Sequence, residues 1–229
     1  MCRSLLARVA PYSSDTMPAP TRPAPITKLS TASSAGSSAV RKRKIAVLGS
    51  RSVGKSSLIR QFIENSFAEE YHPTIESLFK KTITRDGVDY ECELIDTAGQ
   101  DETSILNGAH VIGIHGYVLV YSIAAPASFN MVDIIYNKVV DFSGLPAIPC
   151  VVVGSKVDLE KSRKISAGQG QELAKRLDAA WVETSSKNNL NVDKVFHLCL
   201  DEIERRSDRS LAPLPSSSAN SPRGSCVVM

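Results

Sequence analysis

The segment Gly49-Ser50-Arg51-Ser52-Val53-Gly54-Lys55-Ser56 constrains this chain more than any other. Its spacing is G-x-x-x-x-G-K-[ST]. It stands between a short apolar run, Ile45–Leu48, that reads as a buried strand, and Ser56–Glu64, which has helical spacing. A strand, a glycine loop and a helix in that order curl backbone N–H groups around phosphate oxygens. The helix start adds the positive end of its dipole. Arg51, Ser52, Val53, Gly54, Lys55, Ser56 and Ser57 are therefore read as a phosphate cradle. Lys55 is expected to bind β- and γ-phosphates and to serve catalysis, and the Ser56 hydroxyl to ligate Mg²⁺. The loop implies a nucleoside triphosphate and leaves the base open.

The rest of the chain alternates in the same way. Phe79–Arg85 and Tyr90–Ile95 flank Asp86-Gly87, a hairpin signal. Tyr117–Ile123 and Cys150–Val153 are continuous apolar strands, as in a parallel sheet covered on both faces. Ala180–Thr184 reads as a sixth short strand, and Phe129–Phe142, Ala167–Leu177 and Val192–Arg205 have helical character. This predicts a doubly wound α/β fold, with six mostly parallel strands, one antiparallel hairpin strand and helices on both faces. Ligands of such folds bind at the C-terminal ends of the strands.

Composition sets the boundaries. Residues 1–40 are rich in Ser, Pro and Ala without periodicity and are expected to be disordered. The start MCRSLLARVA also has the composition of a transit peptide, a reading that the other end of the chain opposes. Residues 41–206 are expected to form the domain, and 207–229 a flexible tail. Seven Lys/Arg against one Asp in residues 1–43, and four Arg against one Asp in 205–229, leave residues 44–204 at −6. An acidic body argues against nucleic acid as a partner. The run Arg41–Lys44 reads as a solvated domain edge. Five scattered cysteines give no metal spacing and no disulfide framework. Cys92, Cys150 and Cys199 read as small buried apolar residues.

Three further motifs follow strands. Asp96-Thr97-Ala98-Gly99-Gln100 places Asp96 to hold Mg²⁺, the Gly99 N–H to sense the γ-phosphate, and Gln100 to orient an attacking water. In Ser155-Lys156-Val157-Asp158 the Asp158 carboxylate accepts the paired N–H donors of guanine, which adenine lacks. Glu183-Thr184-Ser185-Ser186-Lys187 follows the last strand.

Four ordered motifs over residues 44–204 resemble the Ras superfamily of small GTPases. The wording RSVGKSS, YHPTIE, DTAGQDE and GYVLVYS is most similar to the Rheb family. The resemblance implies GTP and GDP as ligands, with Mg²⁺ as the metal. It implies that Thr74 ligates Mg²⁺, closes the first switch and serves catalysis, and that Phe67 packs on the base. Lys156 and Lys187 would line the base's faces, the Ser186 backbone N–H would meet its carbonyl oxygen with Ser185 beside it in the nucleotide site, and Tyr71 would cover the γ-phosphate. The implied activity is GTP hydrolysis that times a binding switch. The alternative is a constitutively GTP-loaded binding module with negligible hydrolysis.

Some positions depart from the Ras pattern. Arg51 replaces a glycine, as in Rheb-like proteins. It either crowds the phosphates or points to solvent. Crowding of an incoming arginine finger implies slow hydrolysis, at or below the roughly 10⁻⁴ s⁻¹ of Ras. The family resemblance implies a tuberin-type activating protein that supplies an asparagine. Ser155 replaces the asparagine that ties the base loop to the phosphate loop. It either weakens nucleotide binding or substitutes for that residue. Ser77 lacks the charge that Ras uses on its effectors, and the resemblance implies the TOR kinase complex instead.

The terminal Cys226-Val227-Val228-Met229 fits C-a-a-X, so Cys226 is expected to be farnesylated by farnesyltransferase. One chain binds a bilayer only marginally. The expectation is reversible attachment to the cytoplasmic face of membranes, endomembranes above all. The exchange factor is not identified by the sequence.

Overall fold

The computed structural model describes residues 40–69, 73–104, 108 and 111–211, with side chains to residue 207. Six strands, β1 (Arg41–Gly49), β2 (Glu76–Arg85), β3 (Val88–Thr97), β4 (Gly116–Ser122), β5 (Cys150–Ser155) and β6 (Ala180–Glu183), form one sheet in the order β2-β3-β1-β4-β5-β6. Every pairing is parallel except β2 with β3. Asp86 (φ 49°) and Gly87 (φ 75°) close that hairpin with two residues of positive φ, the turn whose twist suits flanking strands.

Four helices follow, α1 (Lys55–Glu64), α2 (Pro126–Ser143), α3 (Ala167–Arg176) and α4 (Val192–Leu211), with a 3₁₀ segment over Val157–Ser162. Alternation along the central strands divides the core between two faces. Ile45 and Val47 of β1 and Val118 and Val120 of β4 pack with Leu58 and Ile59 of α1 and Phe196 and Leu200 of α4. Ala46, Leu48, Leu119 and Tyr121 turn to Ile135 and Val139 of α2 and Leu173 of α3. The α2 start carries Pro126 in its first turn, where the missing N–H costs nothing. Ser166 and Gln169 form a capping box on α3.

The architecture and strand count agree with the sequence-based expectation. Three local differences have physical causes. β1 starts at Arg41, four residues before the apolar run, because its basic residues find carboxylates. Arg41 and Arg43 pair with Glu204 of α4, Lys42 with Glu91 and Lys44 with Glu93. The basic run is thus a paired strand end as well as an exposed edge. α4 continues past Arg205 to Leu211, beyond the expected domain limit at residue 206. Residues 157–162, which carry no strong periodicity, form the 3₁₀ segment. Cys92, Cys150 and Cys199 are buried as free thiols, and burial raises the pKa of each. Residues 1–39, Tyr71 and the 212–229 tail with Cys226 lie outside the described residues.

Candidate functional site

The loops leaving β1, β3, β5 and β6 meet over the C-terminal edge of the sheet. They enclose a cleft of about 790 Å³ between Arg51–Ser57, Phe67–Glu69, Thr74, Thr97–Gly99, Ser155–Asp158 and Ser186–Lys187. The sequence reverses strand direction of growth here, with β3 on one side of β1 and β4 on the other. That switch point is where the crossing loops part and leave a crevice.

The phosphate loop ends in a buried cation. Lys55 is 6% exposed, and its Nζ donates to the carbonyls of Gly49 (3.0 Å) and Ser50 (2.9 Å). Burial pushes its pKa down to about 8, against the attraction of nearby Asp96, which raises it. A buried ammonium that is costly to keep charged gains from any anion placed against it.

Beside it lie three hard oxygen donors. The hydroxyls of Ser56 and Thr74 are 2.8 Å apart, although 18 residues separate them. Asp96, 3% exposed, has its Oδ1 buried without a hydrogen-bond partner. Burial raises the Asp96 pKa, while a hydrogen bond from Ser56 and the charges of Lys55 and Arg60 oppose that shift. Two hydroxyls and a carboxylate with an unsatisfied oxygen fit a small hard cation such as Mg²⁺.

The other end of the cleft is built from the β5 and β6 loops. Asp158 lines it, with Oδ1 accepting from Ser185 Oγ at 2.6 Å. Ser185 is fully buried and does not line the cleft. It positions Asp158, where the sequence had suggested direct contact. Lys156, at φ 65°, reaches back so that Nζ donates to the Ser52 carbonyl at 2.6 Å. Lys187 pairs with Glu69 at 2.8 Å, which raises the lysine's pKa and lowers the glutamate's. Phe67, 39% exposed, lines the wall with Ser186.

Ser155 is buried and its Oγ contacts the carbonyls of Val53 (2.5 Å) and Tyr121 (2.7 Å). The link between base loop and phosphate loop is therefore present with serine. The hydroxyl has one proton for two acceptors.

Gly99 and Gln100 approach the phosphate loop through the backbone. The Gln100 N–H donates to the Gly49 carbonyl at 3.0 Å. A Cβ on Gly99 would lie 2.5 Å from Arg51 Cα and 2.8 Å from its nitrogen, so only glycine fits. Gln100 does not line the cleft. It is 8% exposed, its Nε2 donates to the Ala98 carbonyl at 3.2 Å, and its Oε1 accepts from Ser104 at 3.1 Å. The Arg51 side chain is 73% exposed and pairs with Asp101 at 3.3 Å. It stands at the cleft's rim, bound to the loop of the second motif. Two charged contributors escaped the motif reading, Glu69 and Arg60. Neither lies in a residue pattern with a fixed chemical role.

Residues 44–205 match the Ras family. The GTP-binding protein rhb1 of Schizosaccharomyces pombe is 52% identical over 171 residues, covering 75% of this chain and 92% of that protein. The GTP-binding protein Rheb homolog of Drosophila melanogaster is 47% identical over 167 residues, covering 73% and 92%. The GTP-binding protein Rheb of Homo sapiens is 43% identical over 189 residues, covering 82% and 98%.

Proposed function

The chain belongs to the Ras family as a Rheb-like GTP hydrolase that binds GTP or GDP with Mg²⁺, and on that premise we propose that it is a slow switch serving the TOR growth pathway. The observation that carries slow turnover is the pose of Gln100, with both ends of its amide bonded to Ala98 and Ser104 and not to the cleft.

Backbone N–H groups of Arg51–Ser57 surround the phosphates, and Lys55 exchanges its two carbonyl partners for β- and γ-phosphate oxygens. Ser56, Thr74 and Asp96 would hold Mg²⁺, which would supply positive charge against the phosphate oxygens. Phe67, Lys156, Lys187, Ser186 and Asp158 grip the base, with Ser185 behind Asp158. Thr74 binds only when the first switch is closed, so GTP and GDP states differ there and around Gly99. Gln100 orients the attacking water once it leaves its present partners. Tyr71 lies outside the described residues, and the family resemblance alone assigns it to the γ-phosphate.

Partners follow from the same premise. The Rheb-family resemblance of the chain implies a TOR kinase complex as effector and a tuberin-type activating protein. The C-a-a-X ending supports farnesylation of Cys226 by farnesyltransferase and peripheral attachment to endomembranes. Among the described residues no helix is long and apolar enough to cross a membrane. A constitutively GTP-loaded binding module is the second reading, favoured by the same Gln100 pose.

Single-turnover GTP hydrolysis, with and without a tuberin-type activating domain, separates the two. Slow turnover that the activator accelerates supports the switch. Turnover unmoved by the activator supports the binding module. Farnesylated, GTP-loaded chain that fails to stimulate TOR kinase in a reconstituted assay would remove the pathway assignment.

A further inference from the structure

Lys138 lies on α2, outside every nucleotide-binding motif. Its ammonium donates to the backbone carbonyls of Asp101 (3.3 Å), Glu102 (2.8 Å) and Ser104 (2.9 Å). An ammonium has three N–H donors. Here all three go to one turn of chain, the turn that follows Gln100.

That turn holds the glutamine. Ser104 Oγ accepts from the Asp101 N–H at 3.0 Å and faces both Gln100 Oε1 (3.1 Å) and the Asp101 carbonyl (2.8 Å). Gln100 Nε2 is occupied by the Ala98 carbonyl. On the opposite side Arg51 meets the Asp101 carboxylate. The chain of contacts runs from α2 through Lys138, the 101–104 turn and Ser104 to the Gln100 amide.

We propose that Lys138 is a positioning residue for GTP hydrolysis. It pins the 101–104 turn to α2 and, through Ser104, keeps the Gln100 amide out of the cleft. Hydrolysis then depends on how often the turn leaves α2. This inference rests on the hydrolase reading above and adds the element that sets its rate. Charge-assisted bonds to three carbonyls are stronger than neutral ones, so the pinned state dominates.

The test uses the full chain, loaded with GTP and Mg²⁺, and follows a single turnover. Lys138→Met keeps the apolar stem and removes the donors. It is expected to raise the intrinsic rate about fivefold, the effect of losing one strong hydrogen-bonded contact. Adding Gln100→Leu to that variant should abolish the gain, which a general loosening of the fold would not require. Ser104→Ala cuts only the last link and should also raise the rate, which covers the case of a poorly folded Lys138→Met. The proposal is overturned if neither variant exceeds the parent, or if the gain persists with Gln100→Leu. A parent that hydrolyses GTP while both variants match it defeats this proposal alone. A parent that binds no guanine nucleotide defeats the hydrolase reading and this proposal together.

Discussion

The Ser155 hydroxyl lies 2.5 Å from the Val53 carbonyl, joining the end of β5 to the phosphate loop 102 residues earlier. It also faces the Tyr121 carbonyl of β4 at 2.7 Å. One side chain thus couples the base end of the cleft, its phosphate end and the sheet.

Ser155→Ala removes the only proton shared by those two buried carbonyls. A lost buried bond costs about 1–2 kcal/mol, so GDP release should quicken by roughly tenfold. Stopped-flow release of a fluorescent GDP measures it. An unchanged rate would show that the link does not hold nucleotide.

Lys55→Met tests the cost of the buried cation. Burial lowers the Lys55 pKa from 10.5 to about 8. A depressed folded-state pKa means that the unfolded chain binds the proton more readily. Stability is then highest above pH 10.5 and is lost as pH falls through about 8. Nucleotide-free Lys55→Met should therefore resist urea better than the parent at pH 7, by an order of 2 kcal/mol, with the advantage fading toward pH 10. The same variant should bind GDP far more weakly. A parent whose stability does not change between pH 7 and 10 counts against the shift.

Asp158→Asn should invert base choice. An amide offers one donor and one acceptor where the carboxylate offers only acceptors. Guanine affinity should fall by about a hundredfold or more, because buried donors lose their partner. Xanthosine diphosphate, with a carbonyl in place of the exocyclic amine, should bind better than GDP. Ser185→Ala, which frees Asp158 Oδ1, should weaken GDP binding without changing the preference. Competition binding distinguishes these outcomes.

Gly99→Ala places a methyl group 2.5 Å from Arg51 Cα. The second motif must then retreat from the phosphate loop. The expected result is near-normal GDP binding and loss of the GTP-specific conformation. Comparing proteolysis of the 96–108 segment in the two nucleotide states checks it. Retained protection by GTP would mean that the close approach is dispensable.

The removal of Mg²⁺ should act through Asp96. Asp96 Oδ1 has no hydrogen-bond partner, so losing the ion would leave that buried oxygen unsatisfied. Chelation is expected to accelerate GDP release by about tenfold or more, and Asp96→Asn to lose that sensitivity. A parent insensitive to chelation would contradict the oxygen cluster's assignment.

Local signals carried much of this site. The glycine spacing from Gly49 to Gly54, Lys55 and Ser56 are contiguous, so their common anion-facing geometry is a property of a short stretch of chain. The Asp86-Gly87 turn and the apolar strands were legible for the same reason, since backbone preference and side-chain period act over a few residues. The start of β1 at Arg41 was not, because its charges are satisfied by Glu204 of α4 and Glu91 and Glu93 of β3.

The sequence by itself determined the α/β architecture, the glycine loop between β1 and α1 and the Ser155–Asp158 motif proposed to read guanine, because each is written in local spacing. Only the tertiary structure decided that the Ser56 and Thr74 hydroxyls meet, that Ser155 reaches Val53, that Ser185 stands behind Asp158, and that Lys138 captures the turn after Gln100. Those relationships depend on how strands and helices distant in the chain are brought together. Hydrogen-bond partners are chosen by distance in space, at the scale of about 3 Å, where separation along the chain carries no information.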